Sequence, residues 1–128
     1  ISMEYPAAAD YRVVRALVNA CEMLNLPYHL GVIRTHDVYY LESPQAHGDA
    51  RERLQKWIDL GVLALENESS TLFTISSMQG VRAGTILASG NPIFQPNADN
   101  CDWDANVRKM VRAGIEAAKL LHHRGLPD

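Results

Sequence analysis

The chain has 128 residues, of which 47% are hydrophobic and 21% charged, ordinary globular values that exclude disorder, collagen-like repeats and a disulfide scaffold. Folding at this length buries roughly two thirds of the unfolded surface, enough for one core. A formal net charge of −3 gives no broad basic field for a nucleic-acid polymer or an anionic membrane, and neither a spanning apolar run nor a secretory leader is visible, so the expected setting is the cytoplasm.

In chain order, Pro6 precedes a segment, Ala7 to Leu24, in which Val14, Leu17, Val18, Cys21 and Leu24 fall on one face of a 3.6-residue period; a helix is expected, ending near Asn25 to Pro27. Tyr28 to Ile33 reads as an internal strand that continues or bends toward Asp37 to Tyr40. A polar stretch, Glu42 to Gly48, leads to a short amphipathic helix, Arg51 to Leu60, with Leu54, Trp57, Ile58 and Leu60 apolar and Gly61 at its end. Val62 to Leu65 reads as a second buried strand. A helix follows with Leu72, Phe73, Ile75 and Ser76 toward the core and Gly80 closing it. Thr85 to Ala88 is a third strand candidate before the loop at Ser89 to Pro92. The last helix, Asp104 to His122, carries a stripe of Val107, Met110, Val111, Gly114, Ala118 and Leu121. Helix and strand signals alternate without repeat or linker, the pattern of an α/β layer architecture.

Cys21 and Cys101 lie far apart without a C-x-x-C partner, so two buried or half-buried free thiols are expected. No two of the five histidines have the i, i+4 spacing that puts imidazoles on one helical face, and no metal site is expected. His122 and His123 read as a cationic last turn before Gly125 and Pro127. Dinucleotide and P-loop fingerprints are absent.

Ligands of open α/β sheets gather at the carboxyl ends of strands. Here those ends carry Arg34 to Tyr40, then Glu66-Asn67-Glu68, then Ser89-Gly90-Asn91, so acidic residues, aromatics and an amide would share one rim if the strands are neighbours. On spacing alone the acidic triplet is also what a helix start requires: Asn67 as cap, carboxylates near the positive end of the dipole. Tyr39 alone reads equally well as a core aromatic.

The stretch GVLALENESSTLFTISSMQGVRAG, residues 61–84, closely resembles the Gly-Val strand and Glu-Met-Glu-Ser/Ala helix start of the purine nucleoside phosphorylase/uridine phosphorylase family, in its uridine phosphorylase branch. HLGVIRTHDVYY, with the helix after Tyr5-Pro6-Ala7, is similar to the family's preceding helix and Gly-Val…Asp-x-Phe-Tyr strand, and RAGTILASGN to its next strand; together the match runs from about Glu4 to Leu121. It implies a three-layer α/β/α mixed sheet, with residues 1–128 forming the C-terminal portion of a single nucleoside phosphorylase domain. The opening Ile1-Ser2-Met3, without an initiator methionine, agrees with an upstream lobe outside this chain.

By that resemblance Glu68 is the catalytic, ribose-binding glutamate that accepts the 2′ and 3′ hydroxyls, and Glu66 and Asn67 complete the ribose side. Cleaving the N-glycosidic bond builds positive charge on the sugar, which a carboxylate locked to the vicinal hydroxyls stabilises increasingly toward the transition state. Asn67 departs from the family's methionine and makes the pocket more polar. Tyr39 matches the aromatic that stacks on the base, an interaction of about 1–3 kcal/mol by analogy with base stacking in nucleic-acid recognition. Asp37 is expected to brace the loop rather than touch substrate. Asn91 lies near the aspartate that protonates the leaving base in the purine branch; an amide cannot do this, so uridine-type chemistry fits better. The loop LESPQAHGDARER is shorter than the family pattern, so Gln45, Arg51 and Arg53 are base-binding candidates without a residue-by-residue match, and read equally as a solvated loop and helix start.

The implied activity is that of a pentosyltransferase: phosphate-dependent cleavage of a ribonucleoside to base and ribose 1-phosphate, with inorganic phosphate as co-substrate and no cofactor. The family's phosphate ligands precede the first helix of this chain, so the chain is expected to be inactive without an upstream lobe supplied by the same or another polypeptide. The resemblance also implies a homo-oligomer. Two alternatives remain: a nucleosidase of the same superfamily, in which water attacks, and a catalytically incomplete nucleoside-binding or oligomerisation fragment.

Overall fold

The computed structural model describes residues 5–37, 50–90 and 101–123. Helix α1, Tyr11–Met23, starts where the Asp10 side chain accepts the N–H groups of Arg12 and Val13 at 2.8 and 3.2 Å, and so begins later than Ala7. Ala7 to Ala9 lie ahead of this cap. The helix ends as the sequence predicts: Asn25 adopts φ 51°, its N–H reaches Glu22 O at 3.0 Å, and the Leu26 N–H reaches Cys21 O at 2.9 Å, a Schellman closure.

Strand β1, Ile33–Thr35, helix α2, Ala50–Asp59, and strand β2, Ala64–Glu66, follow; the two strands pair in parallel with Ile33 opposite Ala64, Arg34 opposite Leu65 and Thr35 opposite Glu66. Both strands are shifted and shorter than expected. Tyr28 to Val32 is not an internal strand: Leu30 and Val32 are 65% and 62% exposed, and the ladder begins only with the bond from Leu63 N–H to Val32 O at 2.8 Å. Likewise Leu63 is exposed, and β2 gains Glu66 instead of Val62 and Leu63. Among the described residues the segment has no ladder partner, and without one an apolar run forms no strand. Of the four apolar residues expected on this helix only Leu54 is buried; Ile58 and Leu60, the latter just past the end of α2, are exposed, and the Trp57 ring carries the Arg34 guanidinium 4.4 Å from its centroid.

Helix α3, Ser69–Met78, turns Ser69, Phe73 and Ser76 inward, the first two buried. Leu72 and Ile75, expected in the core, join Met78 on an exposed line at spacing i, i+3, i+6. Helices α2 and α3 each close on a glycine at positive φ, Gly61 at 78° and Gly80 at 66°, and each closure repeats the two-bond pattern seen at Asn25. Residues 81–90 form no strand, so the third strand expected at Thr85 to Ala88 is absent there. The segment is held instead by α1, through a bond from Asp10 N–H to Ala83 O at 2.8 Å and a close approach of Gly84 to Val13.

Helix α4, Trp103–His123, packs along α1. Ala16, Ala20 and Ala117 meet at the centre with Leu17, Leu120 and Leu121 around them, and the small side chains let the helices come close. The buried line of α4 runs through Ala113 and Ala117, one position round from the expected stripe; Val111 and Ala118 face solvent. Cys21 is buried and Cys101 half-buried, both free thiols, as expected. The structure is therefore mixed α/β, with helices and a small parallel sheet. Among the described residues no helix is long and apolar enough to cross a membrane.

Candidate functional site at the strand ends

The carboxyl ends of β1 and β2 lie side by side, since Thr35 and Glu66 are register partners and the His36 N–H continues the ladder to Glu66 O at 2.9 Å. The rim that the sequence suggested is real for these two strands. Glu66 is enclosed by donors. Its Oε1 accepts the Thr35 hydroxyl, and its Oε2 accepts the backbone N–H groups of Glu68 at 2.9 Å and Ser69 at 2.6 Å. Partial burial pushes the Glu66 carboxyl upward, but hydrogen bonds from the Thr35 and Ser69 side chains and from the Glu68 and Ser69 backbones outweigh it and hold the group below the ordinary carboxylate range.

Thr35 Oγ1 also accepts the Ser70 N–H at 3.0 Å, and Ser69 Oγ bonds Thr85 Oγ1 at 3.1 Å, tying the start of α3 to the segment after it. The Asn67 amide donates to His36 O at 2.8 Å and so bridges the two strand ends. Helix capping is thus present, though not by the residue first considered: the start of α3 is served by Glu66, while Asn67 crosses to β1. Glu68 occupies the cap position with φ −124° and ψ −25°, makes no capping bond with its side chain, and is exposed.

Of the predicted site residues, the structure brings Glu66, Asn67 and Glu68 together. Asp37 is exposed at the end of β1. Tyr39, Gln45 and Asn91 lie outside the described residues, as do the side chains of Arg51, in α2, and Arg53. Thr35 was missed by the sequence reading; the available signal was a hydroxyl residue at a strand end ahead of an acidic helix start. Among the described residues no group of three or more His, Cys, Asp or Glu could hold a metal ion.

The phosphorylase superfamily pattern matches residues 2–123, nearly the whole chain and all of this rim. The chain belongs to the phosphorylase superfamily. Similar superfamily members include a guanosine phosphorylase of Halorubrum lacusprofundi, 32% identical over 117 residues (91% of this chain and 46% of the relative). A uridine phosphorylase of Treponema pallidum is 32% identical over 124 residues, 93% of this chain and 48% of its own length. One from Haemophilus influenzae is 34% identical over 129 residues, 94% and 51% respectively. The chain therefore spans about half the length of the curated phosphorylases it matches.

Proposed function

We propose that this chain carries the ribose- and base-binding half of a nucleoside phosphorylase of the uridine phosphorylase kind, a pentosyltransferase that cleaves a ribonucleoside with phosphate to free base and ribose 1-phosphate. The observation that carries the reading is the exposed, uncapped Glu68 carboxylate, set at the strand-end rim on a tightly bonded turn. In this reading Glu68 accepts both vicinal hydroxyls of the ribose. As the N-glycosidic bond lengthens, the sugar becomes cationic, and a carboxylate held in place stabilises that charge without reorganising. Asn67 lines the sugar side, and Tyr39, Gln45, Arg51 and Asn91 serve the base. Names among the relatives include both uridine and guanosine phosphorylases; the amide of Asn91, which cannot protonate a leaving purine, favours uridine.

The phosphate ligands come from an upstream lobe, this chain being the C-terminal portion of one three-layer domain in a cytoplasmic homo-oligomer. Two facts support an added lobe: the half-length match to the relatives, and the exposed apolar line Leu72, Ile75 and Met78 on α3. The same half-length match supports the second reading, that these residues alone bind nucleoside without turning it over.

Product analysis tests the proposal. This chain together with its upstream lobe, incubated with uridine and phosphate, yields uracil and ribose 1-phosphate, and Glu68→Gln lowers kcat/KM by about 100-fold, as for loss of a transition-state contact; the same turnover by residues 1–128 alone would contradict the half-site. Free ribose formed without phosphate would make it a nucleosidase; nucleoside binding without product would favour the binding fragment.

A further inference from the structure

We propose that Thr35 and Glu66 form a positioning clamp for Glu68, so that Glu66 acts on the sugar pocket through the backbone rather than by touching substrate; this rests on the ribose role given to Glu68 above. Thr35 and Glu66 are the last register pair of the parallel ladder, and each side chain reaches across to the turn that follows β2. Between them they hold three consecutive amides: Glu66 Oε2 takes those of Glu68 and Ser69 at 2.9 and 2.6 Å, and Thr35 Oγ1 takes that of Ser70 at 3.0 Å. The bond between Thr35 Oγ1 and Glu66 Oε1 locks the two holders together. One of the three amides belongs to Glu68 itself, so the clamp fixes the backbone from which the Glu68 carboxylate projects. Glu66 meanwhile has both oxygens occupied by protein donors.

A carboxylate that must accept two vicinal hydroxyls at once has to be placed to within about 0.5 Å, and supporting hydrogen bonds of this kind provide that placement. Selectivity for ribose over 2′-deoxyribose then depends on the clamp, because only the two-hydroxyl contact needs Glu68 in register. Valine in place of Thr35 keeps the shape but leaves Ser70 N–H and Glu66 Oε1 without their partner.

The experiment measures kcat and KM of the full protein, this chain with its upstream lobe, for uridine and 2′-deoxyuridine with phosphate, for wild type, Thr35→Val, Thr35→Ser and Glu68→Gln. Thr35→Val is expected to lower kcat/KM for uridine about tenfold, chiefly through kcat, and that for 2′-deoxyuridine much less, narrowing the ratio between them. Thr35→Ser, which restores the hydroxyl, restores the ratio. Equal losses on the two substrates in Thr35→Val, with the ratio narrowed by Glu68→Gln, would overturn the clamp and leave the ribose role standing. A ratio unchanged in Glu68→Gln itself would overturn the ribose role. Should Thr35→Val not fold, Glu66→Asp, which keeps the charge but withdraws the oxygens by one methylene, is read in the same way.

Discussion

Two carboxylates two residues apart have opposite surroundings. Glu66 is surrounded by donors and Glu68 is exposed. The unfolded chain returns Glu66 to the ordinary carboxylate range, whereas the folded chain holds it lower, so its ionised form stabilises the fold above the ordinary value. That contribution is lost as pH falls through the lowered value. Melting followed from neutral pH to about pH 3 is therefore expected to show a steeper acid loss for wild type than for Glu66→Gln, and parallel curves would contradict it. Asn67 offers a second check. Asn67→Met, which supplies the residue usual in the family, removes the bond to His36 O and is expected to lower stability by about 1 kcal/mol in denaturant titration. At this scale the sequence, with the family resemblance, located the acidic triplet but did not divide its labour. Which carboxylate caps α3 depends on Thr35, 31 residues away in sequence, and no local spacing encodes that pairing.

Element ends were legible where the chemistry is local. Asn25, Gly61 and Gly80 stop helices because their backbones enter the left-handed region, and each was visible as a stop signal. Strand boundaries were not legible, because a ladder needs a partner that an apolar run such as Tyr28 to Ile33 does not name. Two glycines separate backbone strain from packing. At Gly80, with φ 66° and open space around the missing Cβ, alanine is expected to lower stability by about 1 kcal/mol through backbone strain alone. At Gly84 an added Cβ would lie 2.6 Å from Val13 Cγ1, so Gly84→Ala is expected to lower it by about 1–3 kcal/mol, and Val13→Ala in the same chain should recover part of the loss. Urea unfolding of the three single variants and of the Val13→Ala/Gly84→Ala double variant measures both; additive effects at residues 13 and 84 would contradict the contact. The core face of α4 shows the same limit, since Ala113 and Ala117 are too small to register as a hydrophobic stripe, yet both are buried and Ala117 packs with Ala16 and Ala20 of α1.

For the molecule as a whole, the α/β class and the family were readable because their motifs are spread from the first helix to the last, and the superfamily match covers residues 2–123. Burial was less readable. Leu72, Ile75 and Met78 carry the apolar pattern of a core helix face but are exposed, consistent with a surface completed by the proposed upstream lobe. The strand-end rim is the feature on which the functional account stands, and its central element is Glu68 as the ribose ligand. Calorimetric titration with uridine and with 2′,3′-dideoxyuridine, for wild type and Glu68→Gln, tests that element most directly. The account predicts that wild type prefers uridine by about tenfold or more and that Glu68→Gln abolishes the preference. An equal preference in the two proteins would contradict it.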